Sequence, residues 1–161
     1  MKYRALHKEE LEELEKEFVR FLAVHQLTAS DWERLKENEP QRVNHFIELF
    51  SDIVFDKILG EVQYLEWKMP QDLRTFQFHE DKIDLIGVRI VGQTQLDFTK
   101  NSTAEQMLQQ MQLSGADLQL YAASRAYRKE KKMEIFDLLE QGALISKQGE
   151  MFQLLKSLSG K

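Results

Sequence analysis

The side chains best suited to chemistry lie between positions 41 and 56. Gln41, His45, Glu48, Asp52 and Asp56 follow one another at steps of four, three, four and four. On a helix that spacing places them along one face. A histidine with three carboxylates so arranged has the groups needed to bind a divalent cation, or to supply a general base and a general acid. The same row also describes the solvated side of an amphipathic helix, opposite Phe46, Phe50 and Ile53. A di-metal carboxylate bundle would repeat Glu-x-x-His on other helices, and the chain contains no such motif. The solvated face is therefore the favoured reading, and no metal or cofactor is expected.

A second group is basic. Arg125, Arg128, Lys129, Lys131 and Lys132 put five positive charges into eight residues, beside Tyr121 and Tyr127. Cations interleaved with aromatics suit a phosphate backbone or a stacked base. Glu130 and Glu134 interrupt the cluster, and a strand-to-helix junction commonly carries solvated charge. These five residues are the candidate anion-binding site. Of the remaining histidines, His25 continues the apolar stripe four residues beyond Phe21 and is expected to pack at a helix end. His79 falls beside Glu80 and Asp81 at an expected hairpin turn, and His7 precedes a helix with Glu9 and Glu10 nearby. None has a partner that the sequence identifies, and a histidine needs one before it acts as base or ligand.

Several chemistries are missing from the sequence. There is no cysteine, so disulfides, thiol catalysis and thiolate metal sites are excluded. No Gly-x-Gly, Gly-Lys-Ser/Thr, Gly-x-Ser-x-Gly or His-Glu-x-x-His occurs. The net charge of −5, from 22 basic and 27 acidic residues, with a pI near 5.5, argues against bulk electrostatic capture of nucleic acid or of an anionic membrane. The opening Met-Lys-Tyr-Arg-Ala-Leu-His-Lys-Glu-Glu has no apolar stretch. No secretory signal or membrane span is expected, and the cytoplasm is the expected compartment.

The elements that must position these residues follow from periodicity. From Lys8 to about His25, Leu11, Leu14, Phe18, Phe21 and Leu22 mark one face of a helix. Ser30-Asp31-Trp32-Glu33 has the form of a capping box that opens a short helix ending by Asn38. Pro40 suits the first turn of a third helix running to about Leu59 with Gly60 as its stop. Its apolar stripe is Val43, Phe46, Ile47, Phe50, Ile53, Val54 and Ile58.

After Gly60 the period changes. Val62–Lys68, Leu73–His79 and Ile83–Val91 read as strands joined by turns at Met69-Pro70-Gln71-Asp72 and Glu80-Asp81-Lys82, with the last strand central. If only one side of this sheet is covered, Tyr64, Trp67 or Phe76 would be exposed as a binding surface. Gln93–Thr99 reads as an edge strand or an extended connection, Ser102–Gln112 as a helix and Leu118–Tyr127 as a strand. Lys129–Gln141 is a helix stopped by Gly142, and Gln148–Leu158 is a last helix.

The opening Met-Lys-Tyr-Arg, the acidic helix ending Glu-Phe-Val-Arg-Phe-Leu and the Trp32 helix resemble a family of small proteins of unknown function from Gram-negative bacteria. So do Gln141-Gly142-Ala143-Leu144-Ile145-Ser146 and Gly149-Glu150-Met151-Phe152. The resemblance spans nearly the whole chain and implies a bacterial domain, with no activity, cofactor or catalytic residue to carry over.

The expectation is a single α+β domain over residues 1–161: N-terminal helices packed on a small, mainly antiparallel sheet, with further helices in the C-terminal third. It is helical over 1–60, sheet-rich over 61–128 with a short helix at 102–112, and helical over 129–158. The first functional reading is a non-enzymatic protein-interaction module that binds another protein or a second copy of itself. The second is binding of an anionic ligand or RNA through residues 125–132, with nucleic acid the less favoured partner. An enzyme or metal site on the 41–56 face is third, and no membrane partner is expected.

Overall fold

A computed structural model describes residues 1–100 and 103–160. The fold is α+β, with seven helices and one five-stranded antiparallel sheet among the described residues. The chain divides into two compact units, Met1–Gly60 and Glu61–Lys161.

The first unit is helical: α1 (Lys8–Glu13), α2 (Glu15–Val24), α3 (Ala29–Asn38) and α4, which opens at Pro40 and runs through Gly60 to Glu61. The helix expected from Lys8 to His25 is broken at Leu14, where φ −104° and ψ 24° leave helical geometry. The run Glu9, Glu10, Glu12, Glu13, Glu15 places like charges three and four apart across that point, which weakens propagation. The cap of α3 also differs from the expected one. Thr28, rather than Ser30, accepts the N–H of Asp31, and the Asp31 carboxylate accepts the N–H of Thr28. The chain leaves α2 through Gln26, in the left-handed region at φ 61°, with the Leu27 N–H closing back on the Leu22 carbonyl.

Aromatic rings fill the interior of this unit. Phe18 meets Trp32 edge-on at 5.2 Å and Phe50 at 5.0 Å, and Phe21 lies 5.3 Å from Phe50. On α4 the buried residues are Phe50, Ser51, Phe55 and Leu59, whereas Ile53 and Ile58 are exposed. The buried stripe is thus rotated toward Phe55 and Leu59, because the Leu6 segment also packs along α4 and claims the Ser51 side.

The second unit carries β1 (Tyr64–Met69), β2 (Asp72–Phe78), β3 (Lys82–Val91), α5 (Ala104–Ser114), β4 (Asp117–Ala126), α6 (Lys131–Gln141), β5 (Leu144–Ser146) and α7 (Glu150–Leu158). Strand order is β4-β3-β2-β1-β5, so β3 is an interior strand paired on both sides, as its apolar run suggested, and β2 is the middle of the five. A two-residue turn at Pro70-Gln71 joins β1 to β2, and His79-Glu80-Asp81 joins β2 to β3, with the His79 N–H donating to the Lys82 carbonyl. Residues 93–99 form a connection, in which Phe98 is fully buried. The expected helix start at Ser102 lies outside the described residues; α5 begins at Ala104, capped by Thr103. Gly142 stops α6 in the left-handed region as expected, and the chain then adds β5, a strand the sequence pattern did not suggest. One sheet face, through Leu73, Ile86, Val88 and Ile90, packs with Met107 and Met111 of α5 and Met151, Phe152 and Leu155 of α7.

Candidate functional site

The row on α4 is a helix face, and its carboxylates hold the N-terminal segment. The Asp52 carboxylate accepts the backbone N–H groups of Lys2 (2.8 Å) and Tyr3 (3.2 Å). Asp56 accepts the Tyr3 hydroxyl at 2.6 Å and the Lys2 ammonium at 3.3 Å. One turn deeper, the buried Ser51 hydroxyl accepts the N–H of Leu6 at 2.9 Å and donates to the Ile47 carbonyl. Gln41 and His45 lie farther along, exposed, and Glu48 is half-buried. Among the described residues no group of three or more histidine and carboxylate side chains is placed to hold a metal ion. The segment is fixed further by Arg4, whose guanidinium lies 5.0 Å from the Phe55 ring and grips both Glu10 oxygens at 2.8 and 3.1 Å. The Arg4 hydrogen bonds hold the Glu10 carboxyl at about 2, against a partial burial that pushes it up.

The basic segment straddles the end of β4 and the start of α6. Arg125 donates to both oxygens of the buried Glu134 carboxylate, at 3.0 and 3.3 Å. Lys129 pairs with Asp137 at 2.8 Å. Arg128 is exposed and Lys131 half-buried, and neither has an ion pair among the described residues. Lys132 is half-buried. The two tyrosines of this region are already engaged: Tyr127 donates to the His79 carbonyl and Tyr121 to Asp72. Burial and the Asp72 hydrogen bond push the Tyr121 hydroxyl up to about 12. Burial, then the nearby Glu134 and Asp81 charges, does the same at Tyr127.

The three aromatics considered for an exposed sheet face separate. Tyr64 lies on the side of α7, 5.7 Å from the Phe152 ring. Phe76 is buried on the opposite face. Trp67 is half-buried there, with the Arg74 guanidinium 5.6 Å from its ring centre. The Tyr121 ring lies against Gly87, so close that a Cβ at that position would fall 2.2 Å from a ring carbon. Arg89 caps the same ring at 5.0 Å. Gly87 is therefore required by a ring's approach to the backbone rather than by a turn.

The histidines are structural partners. His25 packs on Phe21 at 4.4 Å, as its place in the stripe suggested. His7 caps α1. His79 Nε2 lies 2.9 Å from Asp84, which also accepts the Ser124 hydroxyl at 2.7 Å. Burial raises the Asp84 carboxyl, but the Ser124 and His79 hydrogen bonds and the Lys82 charge outweigh it and hold it below its ordinary value. Because the serine bonds the carboxylate and not the imidazole, this is not a nucleophile–base pair.

One concavity is announced by no spacing in the sequence. A groove of about 810 Å³ opens within the helical unit, lined by Leu11, Phe18, Val19, Leu22, Trp32 and Ile47, with Lys8, Glu12, Glu15, Glu33 and Lys36 at its rim. That volume lies within the usual range of ligand and peptide clefts. Its walls come from α1 through α4 and from Ala5 and Leu6 before them. The first 60 residues carry 13 acidic against 9 basic side chains, a net −4 of the chain's −5.

No helix is long and apolar enough to cross a membrane among the described residues. No curated protein and no solved structure matches the chain. A model for a family of unknown function, DUF6495, matches residues 1–160, covering both units and every surface described above, and the chain belongs to that family.

Proposed function

We propose that the protein is a non-enzymatic interaction module of the bacterial cytoplasm, and that the helical unit's groove receives an apolar-faced, basic-flanked helix of another protein. The observation that carries this reading is the groove itself: apolar along its floor, with Val19 57% exposed at its edge. The rim carries three carboxylates against two lysines, with Lys36 paired to Glu33, so Glu12, Glu15 and the acidic excess of the unit favour a partner whose flanks are positive. Helix-in-groove recognition needs this combination of apolar floor and charged margin.

The test uses a fluorescent amphipathic peptide with leucines on one face and lysines at both flanks. The reading expects saturable binding to the full chain, weakened by salt and lost in Val19→Glu. Absence of saturation, or binding indifferent to Val19→Glu, overturns it. The second reading, an anionic ligand or RNA at residues 125–132, draws on exposed Arg128, which carries no ion pair among the described residues. It expects a fluorescent single-stranded RNA to bind with a steep salt dependence that Arg128→Glu with Lys131→Glu abolishes. RNA binding unchanged in that variant ends this second reading.

A further inference from the structure

We infer that β4 pairs edge-to-edge with β4 of a second copy across a two-fold axis, with Asp117 opposite the partner's Arg125. This goes beyond the groove and uses the other unit. β4 is the outer strand of the sheet, and all ten of its residues pair with β3 in one unbroken antiparallel register, without a bulge. Its other side presents the N–H and C=O groups of alternate residues. Edge strands are ordinarily protected by lysine, proline, a bulge or a covering element. Here the seven residues between Asp117 and Arg125, Leu-Gln-Leu-Tyr-Ala-Ala-Ser, carry no charge and no proline. Four of the seven are alanine, serine or glutamine, and most of the strand is exposed.

Symmetry fixes which registers are possible. In an antiparallel pair the two residues facing each other must both direct their backbone groups across the gap or both away from it. Around a two-fold axis, residue n faces residue S − n, so S must be even. A shift by one residue is thus forbidden. Among the even choices, centring the axis on Tyr121 sets Asp117 opposite Arg125 twice, one pair at each end of the ladder. Both lie on the face that carries Tyr121, and opposite charges directly across a ladder stabilise it.

The other cross-strand pairs also fit. Leu120, 37% exposed, faces Ala122, and Gln119 faces Ala123. Tyr121 sits on the axis, but its ring leans inward over Gly87 and its hydroxyl is bonded to Asp72, so the axis is clear of bulk. Arg125 uses one nitrogen on Glu134 and stays 43% exposed, leaving its remaining donors for a second carboxylate.

The chain has no cysteine, so introduced thiols report the register directly. Gln119→Cys with Ala123→Cys in the full chain should oxidise to a covalent dimer. Ala122→Cys alone should not, because it meets itself only if the axis moves to position 122. Sedimentation should show a dimer, with Asp117→Arg weakening it about tenfold through two like-charge pairs. A monomer at every concentration overturns the proposal. So does a dimer that fails to crosslink through positions 119 and 123, or one that crosslinks through 122. Val19→Glu in the groove should leave the dimer intact, so failure of the peptide-binding reading and failure of this one are read separately.

Discussion

The helical unit and the sheet unit leave different kinds of surface open, and the difference follows from how each satisfies its backbone. Helices α2 through α4 close their hydrogen bonds internally, so what remains to be used is side chains: an apolar groove with a charged rim. The sheet closes its hydrogen bonds sideways, strand to strand, so what remains is the backbone of its last strand, β4. Their turns differ in the same sense. Six of the seven glycines belong to the sheet unit, whereas the helical unit makes its tightest turn with Gln26. Their cores differ too, with edge-on and tilted Phe and Trp rings meeting one another in one, and Phe98 and Phe152 set among aliphatic side chains and Met107, Met111 and Met151 in the other.

The comparison can be broken at several points. The largest effect is expected at Phe98, fully buried in the sheet unit's core. Phe98→Ala should cost about 3–5 kcal/mol, read as a fall in denaturant midpoint by near-ultraviolet circular dichroism. A cost under about 1 kcal/mol would show that the connection 93–99 contributes little to that core.

Next comes Gly87→Ala, which drives a methyl group into the Tyr121 ring and should cost about 1–3 kcal/mol. In a Tyr121→Ala background the same change should cost far less, and equal costs in both backgrounds would exclude the ring contact. In the helical unit, Ser51→Ala leaves the buried Leu6 N–H without its acceptor and should cost about 1–3 kcal/mol. Limited proteolysis should then cut before residue 8 sooner than in the parent, and unchanged protection would mean that Asp52 and Asp56 suffice.

The smallest effect is the dependence on acid. Glu10 titrates at about 2 when folded, against an ordinary 4.5. Its contribution is therefore complete above pH 4.5 and is lost as pH falls from there toward 2. Glu10→Gln should flatten the stability profile in that window only. A difference that persists unchanged across the window would assign the effect to something other than the carboxylate.

Much of this architecture was legible residue by residue. Phe76 and Phe78 alternate with Thr75, Gln77 and His79, and β2 spans Asp72–Phe78; the two hairpin turns fell where their polar residues placed them. β5 escaped because Leu144-Ile145-Ser146 is too short to show a period and exists only through pairing with β1. The cap of α3 was misplaced by two residues because Thr28 and Ser30 are both good caps, and Asp31 sits three residues after Thr28.

The functional surfaces were less legible. Spacing put Asp52 and Asp56 on one face, but their partners, Lys2 and Tyr3, lie about 50 residues away in sequence. The basic run was visible as charge, while Glu134 and Asp137 became its counter-ions only once α6 formed beside it. The groove is assembled from four helices, and no single window of sequence contains it.

The pairing of β5 with β1 has a consequence for synthesis. The helical unit has all its residues once about 60 have emerged, and the first three strands follow as local hairpins. The Tyr64–Glu66 half of β1's outer edge, however, waits for Leu144–Ser146, about 80 residues later. At a ribosomal rate of about 5–20 residues per second, that edge stays open for roughly 4–16 s. For that interval the nascent chain carries those three residues unpaired on its first hairpin, open to the wrong neighbour before their own partner has been made.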